Sequence, residues 1–509
     1  MRTKKALVNT VTALLLELVT VVCGFILPRL ILGTFGSRYN GITSSITHFL
    51  SYIALLKSGI GGVTRASLYK PLQEHNTKAV SAIVMATEQF MRQVARIFAV
   101  FIFVFAAVYP FAVREFSWLF SFTLVLILGI GTFAQYYFGI TYQMLLQADQ
   151  RQYVSSFVQI ATTIANTIIA AILIKAGFSI HIVKLGSAVV FTMNPVFINF
   201  YVRKKYSIDR TVKADKTAIS QRWDSFAHQI ANFVHGNTDV VILTLLSTMN
   251  EVSVYSVYAL VVSGVRKLVY TLGSGVDAAF GNMLAKKEDH ILRENLELFE
   301  FIMHYVSGFC FSSAIVLIVP FVGVYTSGVH DADYNRPLFG VLLCVAELLW
   351  CIRVPYQSVV LAAGKFKETR NGSIAEPIIN IIVSTILVFH FGLVGVAVGT
   401  AVAMAFRTVQ YAFYMSNNVV IRPWWVFVKN VAVIGSAVTI SCILASIIDR
   451  TCSSYIDWAI LAGMRCLIIL GIFILYVIIF ERKNFRLFIA KLKSVLKKKS
   501  SKSSRSSAS

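Results

Sequence analysis

The chain has 509 residues, 57% of them hydrophobic and only 14% charged, with 47 Lys and Arg against 24 Asp and Glu for a formal net charge of +23. A soluble domain carries about 25% charged residues, so this chain cannot cover a water-facing surface, and its mean hydropathy of +0.71 excludes an ordinary globular protein. The basic excess does not read as a nucleic-acid interface: it sits in alternate polar breaks and in the tail, as the positive-inside rule expects, and no nucleic-acid-binding module is visible.

The apolar residues come in runs of roughly 20, the length that crosses about 30 Å of hydrocarbon at 1.5 Å per residue. The fold class expected is therefore an all-α polytopic membrane protein with about fourteen spans: 11–33, 42–63, 83–113, 118–146, 153–175, 182–202, 225–247, 254–284, 299–325, 338–361, 374–391, 393–415, 424–447 and 455–480. The opening Met1-Arg2-Thr3-Lys4-Lys5 resembles the start of a signal peptide. The apolar stretch behind it runs to about Gly33 with no small-residue cleavage site, which predicts a retained first span. The third, fourth and eighth spans exceed the bilayer thickness and are expected to tilt or project.

With the N-terminus inside, the cytoplasmic segments collect most of the basic residues: Arg203, Lys204, Lys205, Arg210, Lys213 and Lys216, then Lys286 and Lys287, then Lys365, Lys367 and Arg370. The opposite loops hold little beyond Arg38, Arg114, Arg336 and Arg450. This asymmetry predicts cytoplasmic N- and C-termini and a multi-pass protein of the bacterial cytoplasmic membrane. The chain divides on this reading into an N-terminal lobe (1–202, spans 1–6), a cytoplasmic inter-lobe loop (203–222), a C-terminal lobe (223–416, spans 7–12), spans 13–14 (417–481) and a basic cytoplasmic tail (482–509) attracted to anionic lipids. A weak repeat at an offset of 216 pairs Ser37 and Tyr39 with Ser253 and Tyr255, and Ser58-Gly59 with Ser274-Gly275. Halves of six spans fit a repeat-built transporter.

Enzyme signatures are missing. The seven cysteines form no CxxC pair and no Cys/His cluster, so neither a disulfide framework nor a metal site is implied. There is no phosphate-binding P-loop, no HExxH and no GxSxG, and Ser67-Leu68-Tyr69-Lys70 matches only the short SxxK pattern. No cofactor and no catalytic residue is expected.

The chemistry lies in charges placed within apolar spans, each of which costs about 2.5–3.5 kcal/mol at the bilayer centre on insertion scales. They are Glu17 and Arg29 in span 1, Lys57 in span 2, Asp239 in span 7, and Arg266, Lys267 and Asp277 in span 8. Glu347 and Arg353 lie in span 10, Glu376 opens span 11, Arg407 lies in span 12 and Arg465 in span 14. On span 7, His228, Asn232, His235 and Asp239 are spaced by four, three and four residues, which puts all four on one helical face. Such a stripe lines a hydrated cavity or makes hydrogen bonds between packed helices. On span 8, Ser263, Arg266, Tyr270, Ser274 and Asp277 share a face. Arg266 stands about 18 Å from the outer end by helical rise, too deep to snorkel, so it requires a carboxylate such as Glu347 or Glu17, water, or an anionic ligand. Lys57 and Arg29 lie nearer to span ends, within snorkelling reach. Pro28, Pro195, Pro355 and Pro377 fall inside spans, where a missing N–H favours kinks.

Three short elements carry a family resemblance. Leu27-Pro28-Arg29-Leu30 ends the first span, Gly36-Ser37-Arg38-Tyr39-Asn40-Gly41 makes a short outer turn, and Leu55-Leu56-Lys57-Ser58-Gly59-Ile60 ends the second span. With the span count and loop pattern over the whole chain, they make it similar to the polysaccharide flippase family of the multidrug/oligosaccharidyl-lipid/polysaccharide exporter superfamily. Asn40 between Tyr39 and Gly41, and Lys57 before Gly59, depart from the family's pattern. The resemblance implies two six-helix lobes in a V around a central cavity, two appended C-terminal helices, and alternating access driven by an ion gradient or membrane potential. It implies a substrate made of an oligosaccharide on a polyprenyl pyrophosphate, moved from the cytoplasmic to the outer leaflet for surface polysaccharide biosynthesis. Membrane lipids, a glycan polymerase and glycosyltransferases are the partners implied.

The candidate substrate ligands are Arg266, Lys267, Lys57, Arg29 and Arg353, because cationic side chains neutralise a pyrophosphate and the arginine fork matches its oxygens. The candidate coupling or cavity residues are Asp239, His235, Asn232, His228 and Glu17. A cation-coupled multidrug antiporter is the first alternative, resting on Glu17 and Asp239. A membrane glycan polymerase or ligase is the second, disfavoured because the longest outer loop, 326–336, is too small for an external active site.

Overall fold

The computed structural model describes residues 2–215, 217, 236–273 and 276–491, apart from the side chains of 2–7, 54–59, 272, 277 and 278. No strand occurs among them. In chain order the helices are α1 (Arg2–Phe35), α2 (Ser37–Ser51), α3 (Ala54–Gln73), α4 (Thr77–Ala112), α5 (Trp118–Ala134), α6 (Ile140–Ala148), α7 (Gln152–Lys175) and α8 (Ile180–Lys205). There follow α9 (Gly236–Leu246), then α10 (Met249–Gly273), α11 (Val276–Ala285), α12 (Asp289–Tyr325), α13 (Pro337–Ala362), α14 (Phe366–Asn418), α15 (Trp425–Ser446) and α16 (Tyr455–Phe480).

Among the described residues, eleven helices are long and apolar enough to cross a membrane. One of them, α14, covers two expected spans: its backbone leaves the helical region at Gly392 (φ 53°, ψ −129°), between the predicted spans 374–391 and 393–415. Only glycine takes that conformation without strain, so the hairpin is written into the sequence by one residue. Of span 225–247, residues 236–247 are described, nearly all of them in α9. The protein is thus an all-α polytopic membrane protein, roughly as the span count predicts. Side chains such as Leu18, Phe103, Phe111, Phe200, Phe389, Leu467 and Ile479 lie exposed on these helices. In water that much apolar surface would cost about 25 cal/mol per Å²; in lipid it is the solvated face.

Two sequence expectations change. The second span, expected as one helix over 42–63, is two helices. The last turn of α2 tightens, with Tyr52 and Ile53 N–H donating to Phe49 and Leu50 carbonyls at 3.2 and 3.4 Å. The Ser51 hydroxyl, which donates to the His48 carbonyl at 2.6 Å and to Asn237 Oδ1 at 2.9 Å, is a local competitor for the helical ladder. The segment 55–60 therefore lies in the opening turns of α3 rather than at the end of a span. The outer turn expected over Gly36–Gly41 shrinks to Gly36 alone (φ 88°), and 37–41 already belong to α2. Gly41 has another use: a Cβ there would overlap the Met249 carbonyl, so glycine lets the start of α10 approach the α2 backbone.

Helix starts follow ordinary capping. Asn76 Oδ1 accepts from Ala79 N–H at 3.0 Å, Ser117 Oγ from Phe120 N–H at 3.4 Å, and Ser454 Oγ from Asp457 N–H at 3.2 Å. Between α5 and α6 one π-helical turn, Gln135–Gly139, keeps the fourth span running. Gly139 is pressed against α8, where a Cβ would come within 2.8 Å of Pro195 Cβ. Pro28, Pro195, Pro355 and Pro377 each lie inside a helix that runs on past them.

The chain forms two compact units, Met1–Ser256 with Gly328–Asp333, and Val257–Ser327 with Tyr334–Ser509. In the first, Leu68, Val84, Tyr142, Leu145, Leu146, Ile198 and Val202 make one apolar core, and Ile31, Ala170, Ile174, Ile180 and Val183 make another. In the second, α12 packs on α13, α15 and α16, and α13 packs on α14. Tyr258, Phe280, Phe311, Phe339 and Tyr356 are its largest fully buried side chains.

Candidate functional site: buried charges in the two units

In the second unit five of the charges expected within spans, Arg266, Glu347, Arg353, Glu376 and Arg407, join in one network. Glu347, Trp350 and Arg353 follow each other at three-residue steps along α13, which aligns them. Arg266 from α10 donates through Nη1 to Glu347 Oε1 at 2.8 Å, and its guanidinium carbon lies 5.5 Å from the Trp350 ring centroid. The Arg353 guanidinium carbon lies 5.8 Å from the same centroid. Both separations are within cation–π range.

From Arg353 the network continues into α14. Arg353 Nη1 donates to Glu376 Oε1 at 3.0 Å, and Arg407 Nε stands 3.4 Å from Glu376 Oε2. One carboxylate on the first leg of the α14 hairpin thus serves two guanidinium groups, Arg353 from α13 and Arg407 from the second leg. Arg407 also donates to the Thr369 carbonyl at 3.1 Å, to Tyr411 Oη at 2.8 Å, and to Gln410 Oε1 and Ser373 Oγ. Its guanidinium lies 4.1 Å from the Tyr411 ring centroid. Gly372 makes room for it, since a Cβ there would collide with Gln410 and Arg407.

Arg353 and Arg407 are buried, with 2% of each exposed, whereas the Arg266 side chain keeps 28% of its surface open. The network carries three arginines and two glutamates, a balance of 3 − 2 = +1 in positive charge. The surplus cannot be matched inside the network, and the accessible guanidinium is Arg266. Lys267, next along α10, is exposed.

A second buried ion pair lies apart from this chain. Arg422 meets Glu300 through both nitrogens, at 2.9 Å for Nη1 to Oε2 and with Nη2 on Oε1. Tyr356 Oη lies 3.4 Å from His304 Nε2, one turn beyond Glu300 on α12. Sequence reasoning missed this pair because Arg422 falls in the polar break before span 13, where a basic residue reads as topogenic. The signal available was Glu300, an acid at the start of an apolar run.

In the first unit the polar residues form a seam along α2. The Ser37 N–H and Oγ–H donate to Asp331 at 2.7 and 2.6 Å, Asn40 Nδ2 donates to Ser253 Oγ at 2.8 Å, and Ser44 and Ser256 hydroxyls meet at 2.6 Å. His48 Nδ1 and the Ser51 hydroxyl both bond Asn237 Oδ1 at 2.9 Å. Asp239 is buried, and its Oδ2 accepts from Tyr255 Oη at 2.9 Å. The sequence did not single out this seam, since serine and asparagine spread over distant spans carry no common spacing.

The remaining expected site residues are dispersed. Arg29 is half-buried on α1, Glu17 is half-buried three turns earlier on the same helix, and Lys57 belongs to α3. The Lys57 side chain lies outside the described residues, as do His228, Asn232 and His235. No group of three or more His, Cys, Asp or Glu side chains with metal-site geometry occurs among the described residues.

No protein-family model matches the sequence, and no curated protein matches it. Solved structures do match its fold. The inward closed conformation of the lipid II flippase MurJ aligns at 12% identity with a TM-score of 0.71, covering 94% of this chain and 99% of that one. An inward-facing multidrug resistance MATE family transporter of the MOP superfamily aligns at 14% identity and TM-score 0.57, covering 78% and 95%. A MOP superfamily transporter from Pyrococcus furiosus, described by a binding pocket of reversed polarity, aligns at 11% identity and TM-score 0.56, covering 86% and 96%. The chain therefore has the fold of MOP-superfamily membrane transporters.

Proposed function

We propose that this protein is a flippase that carries a polyprenyl-pyrophosphate-linked oligosaccharide from the cytoplasmic to the outer leaflet. The observation that carries this reading is the surplus positive charge of the α10–α13–α14 network, which leaves Arg266 as the accessible guanidinium. An anionic headgroup of pyrophosphate type balances such a surplus, and the planar fork suits its oxygens. The extent of the fold likeness supports it: alignment with a lipid II flippase takes in 94% of the chain. On this reading Arg266, with Lys267 beside it, meets the pyrophosphate, and Arg353 holds the network that orients Arg266.

A second reading, a cation-coupled multidrug antiporter, is favoured by the buried Asp239 carboxylate. One experiment separates the two. Protein reconstituted in liposomes with labelled lipid-linked oligosaccharide is expected to make the sugar accessible to a membrane-impermeant glycosidase, and Asp239→Asn is expected to weaken the dependence of that transfer on an ion gradient. Drug efflux without sugar transfer would establish the antiporter instead.

The orientation proposed, with both termini cytoplasmic, has its own check. A cysteine placed at the exposed Asp333 should react with an impermeant maleimide in intact cells. One at the exposed Lys213 should react only after permeabilisation. Labelling of the Lys213 site in intact cells would reverse the topology.

A further inference from the structure

At the C-terminal end of α8 the first unit holds a cavity of about 300 Å³ lined by Tyr142, Arg203, Tyr206, Ile208 and Arg210. That is roughly ten times a water molecule's share of liquid volume, ~30 Å³. One side of it is packed on the core. Tyr142 belongs to the apolar core formed by α3, α4, α6 and α8, and Tyr206 and Ile208 pack against that core. The loop after α8 is tied to α4, because Asp209 N–H donates to Ser81 Oγ at 3.0 Å and Asp215 N–H to the Ala82 carbonyl at 3.1 Å.

The lining is cationic, with no carboxylate among its five residues. Arg210 Nη2 donates to Tyr142 Oη at 3.3 Å, a neutral partner. No carboxylate among the described residues pairs with Arg203 or Arg210 within salt-bridge distance. Three acids around the loop are engaged with other groups, Asp215 with the N–H and hydroxyl of Thr217. Asp149 accepts from Arg151 Nε at 2.6 Å and from Tyr206 Oη at 2.5 Å. Asp209 accepts from the Thr211 hydroxyl and N–H at 2.6 and 2.8 Å, bonds that hold its carboxyl below the usual carboxylate range. The carbonyl end of the α8 dipole opposes an anion here, but weakly beside two full guanidinium charges. The cavity also has a definite depth. It begins where the apolar span of α8 gives way to Arg203-Lys204-Lys205, the level of lipid headgroups.

We infer that this cavity is a phosphate site at the membrane surface, in which Arg203 and Arg210 clasp a phosphate group over the Tyr142 and Tyr206 rings. It lies within the first unit, among residues that the transport reading does not use, and so stands or falls independently of that reading. The same chemistry is offered by an anionic phospholipid headgroup and by a free phosphate.

Native mass spectrometry of the detergent-purified full chain decides the matter, with phosphatidylglycerol, phosphatidylcholine and inorganic phosphate as probes. Phosphatidylglycerol is expected to bind the unaltered protein about 10-fold more tightly than the R203A/R210A variant, the loss expected for one charge-assisted hydrogen bond or more. Both arginines are exposed, so their removal leaves no buried cavity. K204A/K205A removes an equal number of charges from beside the cavity and is expected to bind like the unaltered protein. Displacement of phosphatidylglycerol by inorganic phosphate assigns the site to a phosphorylated solute, and failure to displace it assigns the site to the lipid. Equal affinity for the unaltered protein and R203A/R210A overturns the proposal. So does an equal loss in K204A/K205A, which would reduce the effect to general surface charge.

Discussion

Arg266→Ala is expected to lower the rate of oligosaccharide transfer in reconstituted liposomes about 10- to 100-fold, the loss that follows from removing one strong charge-assisted contact. The guanidinium reaches Glu347 at 2.8 Å and leans over Trp350, yet keeps part of its surface open. It has capacity left for a ligand because a planar fork carries five N–H donors. Arg266→Lys should retain part of the rate, since charge survives and bidentate geometry does not. The ion pair with Glu347 supplies a control. If Arg266 acted only by neutralising Glu347, the double variant R266A/E347A would regain transfer. A ligand-contacting Arg266 predicts that the double variant stays inactive while its folded yield recovers. Full transfer by the double variant would remove Arg266 from the substrate site.

Glu376→Ala is expected to give the largest loss of stability. It strips the shared counter-ion from Arg353 and Arg407, both almost wholly buried. Breaking a buried pair by removing one partner costs about 3–5 kcal/mol, because the remaining charge is left uncompensated. For a protein of this size the apparent Tm in detergent should fall by roughly 5–15 °C. Glu376→Gln, which keeps the shape and an acceptor, should fall less. In the double variant E376A/R353A the losses should be less than additive, since one stranded guanidinium is gone. An unchanged Tm in Glu376→Ala would mean that water or lipid phosphate already satisfies the two arginines.

The cases that sequence reading handled well share a cause. Apolar runs report spans directly, because a lipid-facing helix must be apolar over a fixed length whatever packs beside it. Gly392 could be placed at a hairpin for a similar reason: it separates two apolar runs that together are far too long for one crossing. The pairing of Arg266 with Glu347 is one of the partners that the sequence offers, because both are deep charges in separate spans. The division of α2 from α3 was not visible. It depends on Ser51 and on the Asn237 acceptor, 186 residues away.

The amino-acid pattern by itself therefore determined the all-helical membrane class, nearly every span, and the inventory of charges that had to be reconciled inside the hydrocarbon. Tertiary structure alone decided which charge meets which. Glu376 serves Arg353 and Arg407, Arg422 goes to Glu300 rather than to the headgroups, and Ser37 at the start of α2 binds Asp331 of a distant loop. It also decided that Arg203 and Arg210 border a cavity, although in the sequence they look like two more residues of a topogenic basic run. The physical reason is one of range. Hydrophobic burial acts on each segment separately and leaves a periodic trace along the chain. An ion pair is formed by two side chains whose sequence separation is arbitrary, and only the packing of helices brings them within about 4 Å, where the interaction becomes strong.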